Sequence, residues 1–210
     1  MSWLFARVYD RFTAPAEEAC FQAWRADLLA PLSGEVLEIG AGTGNNLAHY
    51  PATVTRLVVT EPDAAMLDRL RPRLDRVPDG VTVDVQEAGI ERLPFDDASF
   101  DAVVVTLVLC SVPDQRAALA EIHRVLRPGG RLAFLEHVAA VDRPDRLVWQ
   151  RRLEPMWKRV AGGCCLTRET AEAIAAAGFH LPEDAVTRES ARKAAPIVRP
   201  TVRGIAVRPA

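Results

Sequence analysis

Between residues 34 and 137, short apolar runs alternate with stretches of helical periodicity, and this rhythm limits the architecture more than any other feature. Val36-Leu37-Glu38-Ile39, Arg56-Leu57-Val58-Val59-Thr60, Val81-Thr82-Val83-Asp84-Val85, Ala102-Val103-Val104-Val105-Thr106 and Arg131-Leu132-Ala133-Phe134-Leu135-Glu136 read as strands. The fourth run is apolar until Thr106, as a strand covered on both faces must be. Between them, Leu47–Tyr50, Ala64–Leu74 and Gln115–Leu126 carry helical spacing. Strands alternating with helices predict a parallel α/β sheet with right-handed crossovers. Upstream, Ala16 to Leu32 reads as a helix stopped at Ser33-Gly34. Downstream, Thr167 is placed to cap a helix running to about Ala177, and Thr201–Val207 reads as a closing antiparallel strand.

Composition narrows the functional classes. The 210 residues are 49% hydrophobic and 26% charged, enough to bury an ordinary core. A net charge of -2 gives no bulk argument for nucleic acid or an anionic membrane. No stretch approaches the roughly 18 apolar residues of a membrane span. Cys20, Cys110, Cys164 and Cys165 form no CxxC pair, so neither a disulfide framework nor a zinc site is expected from spacing, and a reduced cytoplasmic setting is the expectation.

The sharpest local signal is Ile39-Gly40-Ala41-Gly42-Thr43-Gly44-Asn45-Asn46, a glycine loop between a strand and a helix. Glycines let backbone approach a ligand closely; the plainer reading is a tight turn without one. A dinucleotide fingerprint, G-x-G-x-x-G, would place its third glycine at position 45, which is Asn45; here it falls at Gly44. That spacing disfavours a nicotinamide reductase.

With Glu38 two residues ahead, the loop resembles motif I of the class I S-adenosylmethionine-dependent methyltransferases. Leu93-Pro94-Phe95-Asp96-Asp97-Ala98-Ser99-Phe100-Asp101 and Arg124-Val125-Leu126-Arg127-Pro128-Gly129-Gly130 are similar to later motifs of that superfamily. The resemblance implies a Rossmann-like, doubly wound, seven-stranded, mostly parallel sheet and S-adenosylmethionine as cofactor. It implies cofactor contacts at Glu38, Gly40, Ala41, Gly42, Gly44 and Asn45, and a floor beneath the methyl group at Thr106 and Leu107. Glu61, followed by Pro62, stands where the family holds the ribose; a helix N-terminal acid is the alternative. Many relatives carry an Asp four residues before Leu-Pro-Phe, where this chain has Gly89, which leaves adenine to Gly89, Ile90 and Glu91.

Thr106-Leu107-Val108-Leu109-Cys110-Ser111-Val112, Glu136-His137-Val138-Ala139-Ala140, Trp149-Gln150 and Gly163-Cys164-Cys165-Leu166-Thr167-Arg168-Glu169 resemble a narrower branch, the thiol S-methyltransferases (the methyltransferase-like 7 group). Animal members carry an N-terminal membrane helix that this chain lacks, so a soluble relative is expected. The implied substrate is the thiol of a small, fairly apolar molecule. A thiol of pKa about 8.5 is a few per cent thiolate at neutral pH, whereas a phenol near ~10 is ionised less, so a thiol tolerates weak base assistance best. The rivals are O-, N- or C-methylation of a small molecule, quinone or phospholipid, and a non-catalytic cofactor-binding protein.

Among individual residues, His137 closes the fifth strand and is the candidate general base, or else packs there. Cys110 would wall the substrate space. Asp142, Trp149 and Trp157 fall in the variable stretch 138–166 and are substrate-contact candidates, with a solvated loop and amphipathic-helix packing as the plainer readings. The segment 1–33 is expected to form a helical lid before a methyltransferase domain at 34–210. In that lid Tyr9 would face the cofactor carboxylate or substrate; a hydrophobic staple or a peripheral membrane contact are the alternatives.

Overall fold

The computed structural model describes residues 3–210, with side chains from Asp10 onward apart from that of Glu183. The seven-stranded sheet has the order β3-β2-β1-β4-β5-β7-β6. Its strands are β1 (Gly34–Ile39), β2 (Val54–Thr60), β3 (Thr82–Gln86), β4 (Phe100–Thr106), β5 (Leu126–His137), β6 (Val186–Ser190) and β7 (Pro200–Val207). Strands β1 to β5 pair in parallel, while β7 runs antiparallel to both β5 and β6. From β1 the chain winds outward to β3, then returns across β1 to add β4 and β5. That reversal leaves a crevice beyond the carboxyl ends of β1 and β4, where open α/β sheets bind ligands.

The centre of the sheet follows from the uninterrupted apolar runs. Val103, Val104 and Val105 of β4 and Leu132, Ala133 and Phe134 of β5 are fully buried, because helices cover both faces. One layer packs α4 (Gln115–Val125) and α6 (Thr170–Ala176) against the sheet, and the other packs α2 (Gln22–Leu29) there. The N-terminal helix α1 (Trp3–Ala16) runs into α2 through a π-helical segment, Glu17–Phe21. Pro15 sits just before this segment; a proline lacks an N–H and breaks the regular ladder, a recognised cause of such local unwinding.

Several boundaries differ from those read in the sequence. Helix α2 ends at Leu29, short of Leu32, ahead of Pro31. Strand β5 begins at Leu126, and the Pro128-Gly129-Gly130 turn is a bulge within it where the register with β4 shifts. Thr167 does not cap α6, which starts at Thr170; its N–H and hydroxyl donate to Glu154 Oε2 at 2.9 and 2.7 Å. The stretch after residue 138 contains a 17-residue helix, α5 (Pro144–Val160), and β6 lies in a polar segment without strand alternation. Between β2 and β3, α3 (Ala64–Leu70) tightens into a 3-10 turn at Arg71, where Pro72 follows.

At the opposite edge from the crevice, Gly34 adopts φ +75°, and a Cβ there would fall 2.2 Å from Asp101 Oδ2. That same carboxylate accepts from Glu35 N at 2.8 Å and from Arg127 at 2.6 Å, tying the starts of β1 and β4 to β5. Gly34→Ala combines left-handed strain with displacement of a used acceptor, a cost of about 2–3 kcal/mol. Thermal unfolding is expected about 5–10 °C lower; an unchanged midpoint would contradict this account.

Candidate functional site

The crevice at the switch point is a cavity lined from three loops. Gly40 and Gly42 come from the loop after β1, Glu61 and Pro62 from the end of β2, and Thr106, Leu107, Val108 and Ser111 from the loop after β4. Ile90 and Glu91 close one side, and Ala161 and Gly162 reach in from the segment after α5. Of the sequence candidates, Gly40, Gly42, Glu61, Pro62, Ile90, Glu91, Thr106 and Leu107 therefore meet at one place. Gly89 adjoins it, since a Cβ at that position would lie 2.5 Å from Glu91 Oε2.

The glycines are required for different reasons. Gly40, at φ +65°, lets the first loop touch the loop after β4; a Cβ would fall 2.6 Å from Val108 Cγ2. Gly42, at φ +57°, has nothing within 4 Å of a notional Cβ, so its backbone is open to a ligand. Its N–H donates to Glu61 Oε2 at 2.9 Å, while Asp63 N donates to Glu61 Oε1 at 3.0 Å. Burial raises the Glu61 carboxyl above its usual value against the pull of these N–H bonds. Only 4% of Glu61 is exposed, so its remaining lone pairs are available only toward the cavity it lines.

Four motif candidates do not line this cavity. Gly44 answers to packing, since a Cβ would strike Leu47 Cδ1 at 2.7 Å. Ala41 is buried behind the loop. Asn45 faces a separate cleft beside α1 and donates to Glu17 Oε1 at 3.3 Å. Glu38 is buried beneath the loop, accepting from Asn46 Nδ2 at 2.9 Å and Tyr50 OH at 2.7 Å. Burial outweighs those bonds and raises its carboxyl. Asn46 also donates to Thr106 Oγ1 at 3.0 Å and accepts from Arg25, which pairs in turn with Glu17. The acid of the motif thus braces the loop from below and joins it to the N-terminal helices.

The loop after β4 rests on Glu136, a residue whose function sequence reasoning missed. Its buried carboxylate accepts from the backbone N–H groups of Val108, Leu109 and Cys110 at 3.0, 2.9 and 2.9 Å. Burial pushes this carboxyl well above its usual value despite the three donors. Leu107, which starts the loop, is held at φ +62°, a conformation that costs a branched residue about 1 kcal/mol or more. Arg168 ties the far end, donating to the carbonyls of Leu109 and of Val112. Gln150 is fully buried and braces 138–140, accepting from Ala140 N and donating to Val138 O. The stretches around Glu136, Gln150 and Arg168 thus carry the supports of one loop system.

His137, the candidate base, adjoins a pair of thiols. Its Nδ1 is 3.7 Å from Cys164 Sγ, which is 3.8 Å from Cys110 Sγ. The hydrogen bond it shares with Cys110 holds Cys164 below its usual pKa, against burial and with help from Trp157. The partner effect drives the Cys110 thiol far up. Trp157 thus stands beside this cluster. Trp149 does not: it lies on the outer face of α5, 56% exposed, under Arg152. Asp142 is exposed in the preceding loop. Neither lines the cavity: α5 turns the face carrying Trp149 to solvent, and Asp142 lies in the exposed loop ahead of it. Tyr9, the other catalytic candidate, lies outside the residues whose side chains are described.

Asp10 of α1 closes the glycine loop from outside. It accepts from Thr43 Oγ1 at 2.6 Å, from Arg69 at 3.1 Å and from Arg73. Burial alone would raise its carboxyl; those bonds outweigh it and leave it below the usual 3.8. A lowered carboxyl stabilises the fold above that value and loses its contribution as pH falls through the folded value. The stability gap between wild type and Asp10→Asn in urea melts is therefore expected to be constant at neutral pH and to close below about pH 4. A gap that persists into acid would contradict the ionic contact.

Comparison with known proteins agrees with this geometry. A family model described as a methyltransferase domain matches residues 37–134. Thiol S-methyltransferase TMT1B of Rattus norvegicus is 37% identical over 189 residues, covering 85% of this chain and 73% of the relative. Demethylmenaquinone methyltransferase of Clavibacter sepedonicus is 37% identical over 135 residues, covering 61% of this chain and 53% of that protein. Among solved structures, a SAM-dependent methyltransferase from Thermotoga maritima superposes with a TM-score of 0.69 at 21% identity, covering 98% of this chain and 97% of its own. Among the described residues no helix is long and apolar enough to cross a membrane.

Proposed function

The chain belongs to the class I S-adenosylmethionine-dependent methyltransferase family, and from that premise we propose that it methylates the thiol of a small, fairly apolar molecule. One observation carries the thiol reading. An alignment spanning 85% of the chain at 37% identity to a thiol S-methyltransferase necessarily runs through 138–166, the segment that supplies Ala161 and Gly162 to the cavity.

The cavity has the features the cofactor needs: an open backbone at Gly42 and a buried carboxylate at Glu61. In this reading Glu61 accepts hydrogen bonds from the ribose hydroxyls, and Gly40 and Gly42 let the methionine portion lie against backbone. Ile90 covers one adenine face, with Gly89 and Glu91 at its edge. When bound, S-adenosylmethionine supplies a methyl group already activated on a sulfonium. The protein's part is to align and to exclude water. Leu107 and Val108, held in place through Glu136, form an apolar floor. His137, at the end of β5, accepts the proton that a thiol gives up on ionising.

Incubation with cofactor and a panel of thiols, phenols, quinols and amines tests this reading. S-methyl products from small apolar thiols are expected, with Glu61→Ala weakening cofactor binding by roughly tenfold or more while the fold is retained. Turnover of a quinol or phenol with no thiol turned over would overturn the thiol assignment and favour the quinone-type chemistry of the Clavibacter relative.

A further inference from the structure

The sequence contains no metal-ligand spacing, yet the fold assembles one. Cys110 comes from the loop after β4, His137 from the end of β5 and Cys164 from the turn after α5. Their ligand atoms all lie within 4.8 Å of one another. We propose that Cys110 Sγ, Cys164 Sγ and His137 Nδ1 bind one thiophilic divalent cation of the zinc class, with the fourth coordination place left for an exogenous thiol.

The distances carry the argument. Zinc bonds sulfur at about 2.3 Å and imidazole nitrogen at about 2.0–2.1 Å, so a tetrahedral site sets two sulfurs about 3.8 Å apart and a sulfur and nitrogen about 3.6 Å apart. The observed separations are 3.8 Å for Cys110 Sγ to Cys164 Sγ and 3.7 Å for Cys164 Sγ to His137 Nδ1. Two of the three separations thus match a tetrahedral site, and the third, Cys110 Sγ to His137, lies within 4.8 Å.

The chemistry of the set agrees. Thiolate and imidazole select zinc-class ions over magnesium or calcium. Both cysteines are buried, at 1% and 5% exposure, and backbone bonds hold their carriers: Cys165 N donates to Cys110 O at 2.8 Å, and Glu136 holds Cys110 N. The indole N–H of Trp157 is buried without a hydrogen-bond partner among the described residues. Trp157 lies beside Cys164, where its N–H could serve as the kind of outer contact that steadies a metal-bound thiolate.

Among the described residues no further Cys, His, Asp or Glu atom joins the set. Three protein ligands with an open fourth place is the pattern of catalytic rather than structural zinc. The chain neighbours of the ligands line the cavity: Ser111 follows Cys110, and Gly162 lies two residues before Cys164. The cluster thus adjoins the cavity wall through the chain neighbours of its ligands. The choice of a thiol as that donor rests on the methylation reading above; the metal site does not. With the metal bound, His137 Nδ1 is a ligand and no longer the proton acceptor: coordination itself would make the thiol give up its proton to solvent and hold the sulfur as a thiolate, the state that reacts.

The test uses the full chain, stripped with a chelator and reloaded with zinc or cobalt(II). Elemental analysis is expected to show one zinc per chain, and the cobalt form to show the visible bands of a tetrahedral site with thiolate-to-cobalt charge transfer. Cys110→Ser, Cys164→Ser and His137→Gln should each weaken zinc binding at least roughly tenfold, with far-ultraviolet circular dichroism checking the fold. An alkanethiol added without S-adenosylmethionine should shift the cobalt bands. No retained metal, a Cys110–Cys164 disulfide in its place, or equal binding by all three variants would overturn the site. Tight metal binding with cobalt bands indifferent to thiols would overturn the fourth-ligand assignment. Metal and thiol binding without any thiol methylation would leave the site standing and defeat the methylation reading instead.

Discussion

The carboxylate of Glu136 is the interaction on which the working face of the sheet depends. A strand ends at the point where a loop must turn under a ligand, and that turn exposes backbone N–H groups to a dry interior. Each buried donor left without an acceptor would cost about 1–3 kcal/mol. Glu136 receives the N–H groups of Val108, Leu109 and Cys110 together. With those satisfied, Leu107 can be held at φ +62° and the loop can line the cavity. The same arrangement delivers Cys110 to His137 and Cys164, so the cavity floor and the thiol–imidazole cluster share one support.

A second buried network does the equivalent work under the glycine loop. Glu38, Asn46, Tyr50, Thr106 and Arg25 form a connected set reaching Glu17 in the π-helical segment. Because Thr106 belongs to β4 and also lines the cavity, the network couples the N-terminal helices to the ligand-facing strands. Buried polar sets of this kind are costly when half satisfied and rigid when complete. Asp10 adds an outer clamp on Thr43 of the same loop. The glycine loop is thus fixed from below and from outside, leaving the Gly42 backbone open toward the cavity.

Much of this was legible from residue order, for identifiable reasons. Short β-branched apolar runs such as Val103–Val105 fit strands covered on both faces, and their alternation with helices implies a parallel sheet with its crevice at the switch point. Glu61 could be placed because it ends a strand beside that crevice. Glu38, Ala41, Gly44 and Asn45 share the motif, but motif membership does not say which way a residue turns; these four do not line the cavity, and Glu38 and Asn45 bond to Asn46, Tyr50 and Glu17 instead. Strand β6 is not legible, and α5 is legible only as the amphipathic-helix alternative for Trp149 and Trp157, because arginine-rich and polar sequence hides periodicity; which face of α5 carries Trp149 could not be read. The Cys110–His137–Cys164 cluster was invisible because its members lie on three separate elements and meet only through the β4–β5 pairing and the turn after α5.

The most direct check on the role of Glu136 is amide hydrogen exchange, followed residue by residue in wild type and Glu136→Leu, which removes both acceptor oxygens at similar volume. The account predicts that Val108, Leu109 and Cys110 are strongly protected in wild type. In the variant they should lose that protection selectively, while the amides of β1 and β4 keep theirs. Equal protection of these three amides in both proteins would show that the loop stands without the carboxylate and would contradict the account.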